Sequence, residues 1–376
     1  MLRTHRFILL VLALALVVSG CDLTESSDSA TRATDGVVVA NSGDFSARDG
    51  SLSVYDPSDA TVGLNDIEVA FIHSIAVRND RIYVVDNAST ASGRITIFDR
   101  ETFAPIGQLQ STRAPRYVAE VSNRKLYATN ITYDETFSLV ESTVSVFNLD
   151  TGALVDSIAV GRGPEGIAVL GDRAFVANSG GTTLSVIDTA SDAATATLEL
   201  GCTAPNEVFV DGEAEIVVVC QGTRDTPAEV VFVDPRQLQI RERLVLDTPV
   251  GSANGTQAAF YSPATEELYA TEASTYSPVD FAFTPGTTIY RIDTDANVRD
   301  ATFQIPEDPS LTAMTAIGYD ATNEALHVGR LPIGPGGGPS FQARGQTVVL
   351  DRSGALLDQY TVGVTPGHID LLQSSQ

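Results

Sequence analysis

The sequence predicts an all-β fold: a seven-bladed β-propeller of four-stranded antiparallel blades, closed by the C-terminal strand joining the first blade. Three observations carry that prediction. A pattern of short apolar strands and turns recurs seven times along the chain. No long stretch carries apolar residues spaced three and four apart, as an amphipathic helix would. The two ends of the repeat leave one strand missing and one spare.

The clearest repeated mark is an aspartate ending an apolar strand: "SVYDPS" (Asp56), "TIFDRE" (Asp99), "SVIDTA" (Asp188), "VFVDPR" (Asp234), "YRIDTD" (Asp293) and "VVLDRS" (Asp351), with Asn148 of "SVFNLD" in the same place. Turn-formers and another short strand follow each. One strand earlier stand "GVVVANS", "RIYVVDN", "KLYATNI", "RAFVANS", "IVVVCQG", "ELYATEA" and "ALHVGRL", which alternate as half-buried strands do. Earlier still come "HSIAV", "PRYVAEV", "PEGIAVL", "PNEVFV", "TQAAFY", "MTAIGY" and "PGHIDLL". Each unit therefore holds four strands, A to D. Such a unit cannot cover both its faces, so the units must stack radially. The body opens at Gly36 on a strand B with no strand A before it, and ends on an orphan strand A, Thr365 to Leu372. Placing the second inside the first blade closes the ring and removes an exposed edge.

These repeats, above all "PEGIAVLGDRAFVANSGGTTLSVIDTAS", resemble the YVTN-type, YncE-like seven-bladed propellers, with "FVAN" where that family carries its eponymous tetrapeptide. The resemblance covers nearly all of residues 36–372, and blades 5 to 7 depart from it most. It implies a fold and little about function, because propellers host binding, scaffolding and several chemistries.

Residues 1–20 read as a lipoprotein signal peptide. A basic start is followed by "FILLVLALALVV", too short to span a bilayer comfortably. "VSGC" resembles the bacterial lipobox and implies lipidation of Cys21; an ordinary secretory peptide is the other reading. Residues 21–35, polar and acidic, are expected to be a flexible tether, and residues 36–376 the propeller. The expected location is the bacterial envelope, anchored to the outer membrane on its surface or periplasmic side. The formal charge is −25, and of 23 basic residues only Lys125 is a lysine. So acidic a surface repels phosphate backbones and argues against nucleic acid as a partner.

The repeated aspartates are read as turn caps spread around a rim, not as a metal or acid–base site. A candidate site lies where the A strands begin, on the face that also carries the B–C loops. The alignment places His73, Arg116, Glu165, Asn206, Gln257, Thr315 and Gly367 at equivalent positions of a channel mouth there, followed directly by Tyr117 and Glu207. Three B–C loops are long: "TNITYDETFSLVES" in blade 3, "TEASTYSPVDFAFTPG" in blade 6 and "GRLPIGPGGGPSFQARG" in blade 7. They bring Tyr133, Phe137, Tyr276, Phe281, Phe283 and Phe341 to the same face. Long loops are often functional, and exposed aromatics cost solubility unless they pack together or meet a ligand. The expected ligand-binding set is Arg116, Tyr117, Glu165, Asn206, Glu207, Gln257, Tyr133, Tyr276, Phe281 and Phe341.

Cys202 and Cys220 fall at neighbouring ends of strands A and B in blade 5, so a disulfide is expected in an exported protein, with buried thiols as the alternative. His73, His327 and His368 lie in neighbouring blades, but His327 should face away from the channel, and neither a metal nor another cofactor is expected. Similar propellers include surface lipoproteins that capture vitamin B12 for a TonB-dependent transporter. The resemblance therefore implies capture of a ligand such as a corrinoid, with such a transporter or another envelope protein as partner. Two other readings stay open. One is a lactonase-like hydrolase using His73, Arg116 and Glu165; the other is a protein-interaction scaffold.

Overall fold

The computed structural model describes residues 36–57, 61–87, 93–133, 136, 139–253, 255–277, 279 and 282–372. The expected signal peptide, tether and lipidated Cys21 lie outside these residues, as do Phe137 and Phe281. Seven four-stranded antiparallel sheets stand in a ring, and no helix occurs among the described residues. The molecule is a seven-bladed propeller, and its closure is the predicted one. Strand Pro366–Leu371 pairs with Val37–Asn41, setting Ile369 opposite Val39, and so becomes the inner strand of blade 1. The inner strands of the other blades are Ile72–Arg78, Ala114–Ser122, Pro164–Leu170, Pro205–Val210, Ala259–Ser262 and Leu311–Asp320.

Burial follows from the stacking. A blade has two faces and no helix to cover either, so each interface between blades becomes its own apolar wedge. Seven such clusters fill the seven interfaces. The wedge between blades 7 and 1 unites Val37, Val39 and Ile369 with Ala316, Val349 and Tyr360. It exists only because the last strand sits in the first blade. Close approach is also coded locally: a Cβ on Gly166 would come within 2.5 Å of the Asn206 carbonyl oxygen in the next blade.

The repeated aspartates cap the C–D turns. Asp99 Oδ1 accepts from the Thr102 amide at 2.8 Å, Asp188 Oδ1 from Ser191 at 2.7 Å, and Asp234 Oδ1 from Gln237 at 2.8 Å. Asn148 does the same for Thr151 at 3.0 Å. Four residues beyond each cap the chain turns left-handed, at Phe103, Gly152, Asp192 and Leu238. A short polar side chain closes that turn, which is why Asp or Asn recurs there.

Candidate functional site: a plugged channel between two unlike faces

Inner strands begin on the face that carries the B–C loops and end on the face that carries the A–B and C–D turns. The long loops bring aromatics to the first face. Blade 3 extends its own hairpin, Lys125–Tyr133 against Leu139–Asn148, and ends with Tyr133 39% exposed. Blade 6 makes an extra two-stranded ribbon, Thr275–Tyr276 with Phe283–Thr284, in which Tyr276 packs on Phe283 with ring centres 5.0 Å apart. Blade 7 folds back through an Ile333–Pro339 bridge, and Gly338 lies against Phe283. Tyr276 and Phe341 remain exposed. Phe45, on the B–C loop of blade 1, is 64% exposed beside Phe71 and joins this face. The repeat pattern gave no hint of it, because that loop is of ordinary length.

The polar ring expected at the channel mouth is packed into the protein. His73, Glu165, Asn206, Glu207, Gln257 and Thr315 are all buried, as is Gly367. The reason is that long side chains at the strand starts reach across a narrow channel and bond to one another and to neighbouring backbone. Arg116 Nε meets Glu165 Oε2 at 2.8 Å, and His73 Nε2 stands 3.8 Å from the same oxygen. The Tyr117 hydroxyl donates to the Thr256 carbonyl on the opposite side of the ring. Gln257 Oε1 accepts from the amides of Ile317 and Ile369, at 3.3 and 2.9 Å, tying blade 6 to blades 7 and 1. Glu207 accepts the Ala258 amide at 2.5 Å and the Ala259 amide at 2.9 Å, tying blade 5 to blade 6. Unpaired inner-strand amides need acceptors once buried, and these side chains supply them.

Charge states follow from this packing. Burial holds His73 well below the usual imidazole range, with Arg116 adding to the effect, so the ring is neutral near pH 7. Its Nε2 has no hydrogen-bond partner. Burial lowers Arg116, but the Glu165 carboxylate more than offsets this and leaves the guanidinium firmly charged. Burial pushes the Glu207 carboxyl up to about 8; the two amides pull the other way, and Glu165 adds a smaller upward push. His368 is driven down to about 3, by burial first and by Arg78 second.

Below the plug the channel widens into a cavity of about 560 Å³. Tyr117, Glu207, Gln257 and His368 reach it from the plug side, and its lining runs on to the A–B turns at Asn79 and Pro263. The strand starts are buried, whereas Arg78 and Asn79 at a strand end are exposed, so the cavity opens on the turn face. Arg116, Glu165 and Asn206 do not line it. The sequence-predicted set therefore divides in three. Tyr133, Tyr276 and Phe341 stand on the loop face, Arg116, Glu165 and Asn206 in the plug, and Tyr117, Glu207 and Gln257 at the cavity floor.

Cys202 and Cys220 are joined in a disulfide, with Cα atoms 6.0 Å apart. The three histidines do not converge. His73 and His368 flank Tyr117, while His327 Nδ1 lies 3.1 Å from the Tyr360 hydroxyl between the strands of the outer sheet. Among the described residues no cluster of three or more potential ligands could hold a metal ion.

A family model described as a domain of unknown function, DUF5074, matches residues 35–328. The chain belongs to that family. No curated protein matches it. Among solved structures, a functionally unknown protein from Desulfotomaculum acetoxidans has a TM-score of 0.64 at 11% identity, over 91% of this chain and 100% of that one. Hydrazine synthase of Kuenenia stuttgartiensis gives 0.61 at 18% identity, over 79% and 88% respectively. A quinoprotein alcohol dehydrogenase-like protein of Bacteroides thetaiotaomicron gives 0.61 at 11%, over 90% and 78%. Identities this low establish the shared fold alone.

Proposed function

We propose that the protein is a lipid-anchored envelope protein that captures a ligand on its loop face and passes it to a membrane partner. The observation that carries this reading is the gathering of Tyr133, Tyr276, Phe341 and Phe45 on one face, around the partly exposed, permanently charged Arg116. Apolar side chains displayed on the loops of one face, three of them on long insertions, are what a binding surface requires, and a folded body without one has no reason to keep them. The plug closes the channel beneath, so the ligand lies across this face instead of descending into it. A broad amphipathic molecule suits such a surface, and a corrinoid is the specific candidate, with a TonB-dependent transporter as the receiving partner. A hydrolase using His73, Arg116 and Glu165 is disfavoured by packing: His73 and Glu165 are buried, Arg116 is spent on Glu165, and none of the three lines the channel cavity.

The test is a visible-spectrum titration of the purified protein with cobalamin. Binding is expected, and the pair Tyr276→Ala and Phe341→Ala together should weaken it by about tenfold or more, as loss of aromatic anchors does elsewhere. A spectrum unchanged at high protein concentration would remove the corrinoid.

A further inference from the structure

The channel cavity is a second site, on the face opposite the aromatic loops. Its walls are not alike. Blades 4 to 6 give an apolar arc, from Ile167 and Val169 through Val208 and Phe209 to Phe260. Blades 1 to 3 give a mixed arc, in which Arg78, Asn79, Arg100, Glu120, His368 and Asp370 stand among apolar side chains such as Ile75 and Val118. A volume of about 560 Å³ matches a small organic molecule, and an apolar wall facing convergent polar groups is the usual form of such sites.

Hydrogen bonding on the mixed arc selects the sign of the ligand. Asp370 is occupied: its Oδ2 accepts the Val77 amide at 2.9 Å and its Oδ1 the Leu371 amide at 2.9 Å. Glu120 Oε2 accepts the Tyr83 hydroxyl at 2.8 Å. At the floor, both Glu207 oxygens hold backbone amides. The acids thus have protein donors of their own. Arg78 differs: Nη1 donates to the Val77 carbonyl at 2.6 Å, its charge also acts on the Asp370 carboxylate without a hydrogen bond to it, and its side chain is exposed at the rim with donors to spare. A few residues deeper, His368 Nδ1 is buried without a partner. A fork of free guanidinium donors above an apolar wall fits a carboxylate on a hydrophobic body.

We infer that this cavity binds an amphipathic carboxylic acid, its carboxylate on Arg78 and its apolar part against the wall formed by blades 4 to 6. Such an acid has two sources, a fatty acid from membrane lipid or a soluble aryl-alkyl acid, and the chemistry at Arg78 is the same for both. Gly36 and Leu372, joined by a 2.7 Å backbone hydrogen bond, lie on the cavity's face. If Cys21 carries the anchor proposed above, the protein works beside a bilayer, which favours the fatty acid.

Isothermal titration with dodecanoate and with 3-phenylpropionate, each below its aggregation limit, tests the inference. At least one should bind at one per chain, and whichever binds names the source. Arg78→Gln should weaken that binding about tenfold, the scale of a lost charge-assisted hydrogen bond. Ala168→Trp, at a small side chain that lines the cavity beside the wedge of blades 4 and 5, should abolish it, with an unchanged thermal melt showing that the blades still stack. The loop-face pair Tyr276→Ala and Phe341→Ala should leave it intact, so failure here and failure of loop-face capture are told apart. No binding of either acid, equal binding by Arg78→Gln, or equal binding of dodecylamine would each overturn the inference.

Discussion

The two ends of one channel are built from the same seven strands and finish differently. Where the strands start, His73, Arg116, Tyr117, Glu165, Glu207 and Gln257 are long enough to meet across the opening, and they seal it. Further along the same strands stand Ala76, Ala119 and Ala168, which cannot reach, and a cavity remains. Backbone geometry fixes the ring, and side-chain length decides which end of it is solid. A propeller can thus close its channel under the face with elaborate loops and open it on the face with plain turns.

Both ends of the channel exist only in a closed ring, so the largest effect should come from breaking closure. Ile369 is fully buried in the wedge between blades 7 and 1, and Gln257 holds both its amide and its carbonyl. Ile369→Asp would bury an unpaired carboxyl there and should cost about 4 kcal/mol or more. Removing residues 366–376 should abolish the cooperative melt altogether, because both neighbouring wedges lose a wall. A truncated protein that melts near the wild-type temperature would mean that the plug and cavity do not depend on closure.

Much of this architecture can be read in the sequence, and the particular residues show why the rest cannot. Asp99, Asp188 and Asp234 repeat because a C–D turn needs the same acceptor each time, so spacing alone reveals both the turn and its blade. The missing and spare strands reveal closure in the same way. Cys202 and Cys220 are legible too, since strand pairing fixes which ends are neighbours. Register says nothing about radius. Alignment places Glu165 and Gln257 at equivalent positions but cannot tell that a channel this narrow buries them. Nor does any repeat mark Arg78, whose significance lies in donors that no neighbour uses.

The plug's own chemistry allows a sharper test at Glu207. Glu207→Ala leaves the Ala258 and Ala259 amides without their acceptor and should destabilise the fold by about 2–4 kcal/mol. The carboxyl also links stability to pH. In the unfolded chain it ionises near 4.5; in the fold it holds its proton until about 8. The folded state therefore binds the extra proton between those values, and this group's contribution to stability falls as pH rises from 4.5 to 8, then levels off. Chemical denaturation across that range should show wild type losing stability relative to Glu207→Gln. Asp234 supplies the contrast. Turn amides and Arg241 lower it to about 2, so its contribution is lost only as pH falls toward that value. Parallel profiles for wild type and Glu207→Gln would mean that the floor carboxyl is ionised throughout.

The smallest effect on stability is expected on the loop face, and its smallness is informative. Tyr276 is 55% exposed and packs on Phe283 within its own ribbon, while Phe341 is 38% exposed on the returning arm of the neighbouring insertion. Neither contributes to any of the seven wedges between blades. Replacing either with alanine should change stability by no more than about 0.5 kcal/mol, the range of surface substitutions away from caps and cores. A larger loss would show that these aromatics stabilise the loops over the plug, and solubility alone would then explain their packing. A loss within that range leaves two exposed aromatic side chains that the fold does not use, which is the condition under which a ligand becomes the economical reason for keeping them. Calorimetric melts of the two single variants make that distinction before any ligand is in hand.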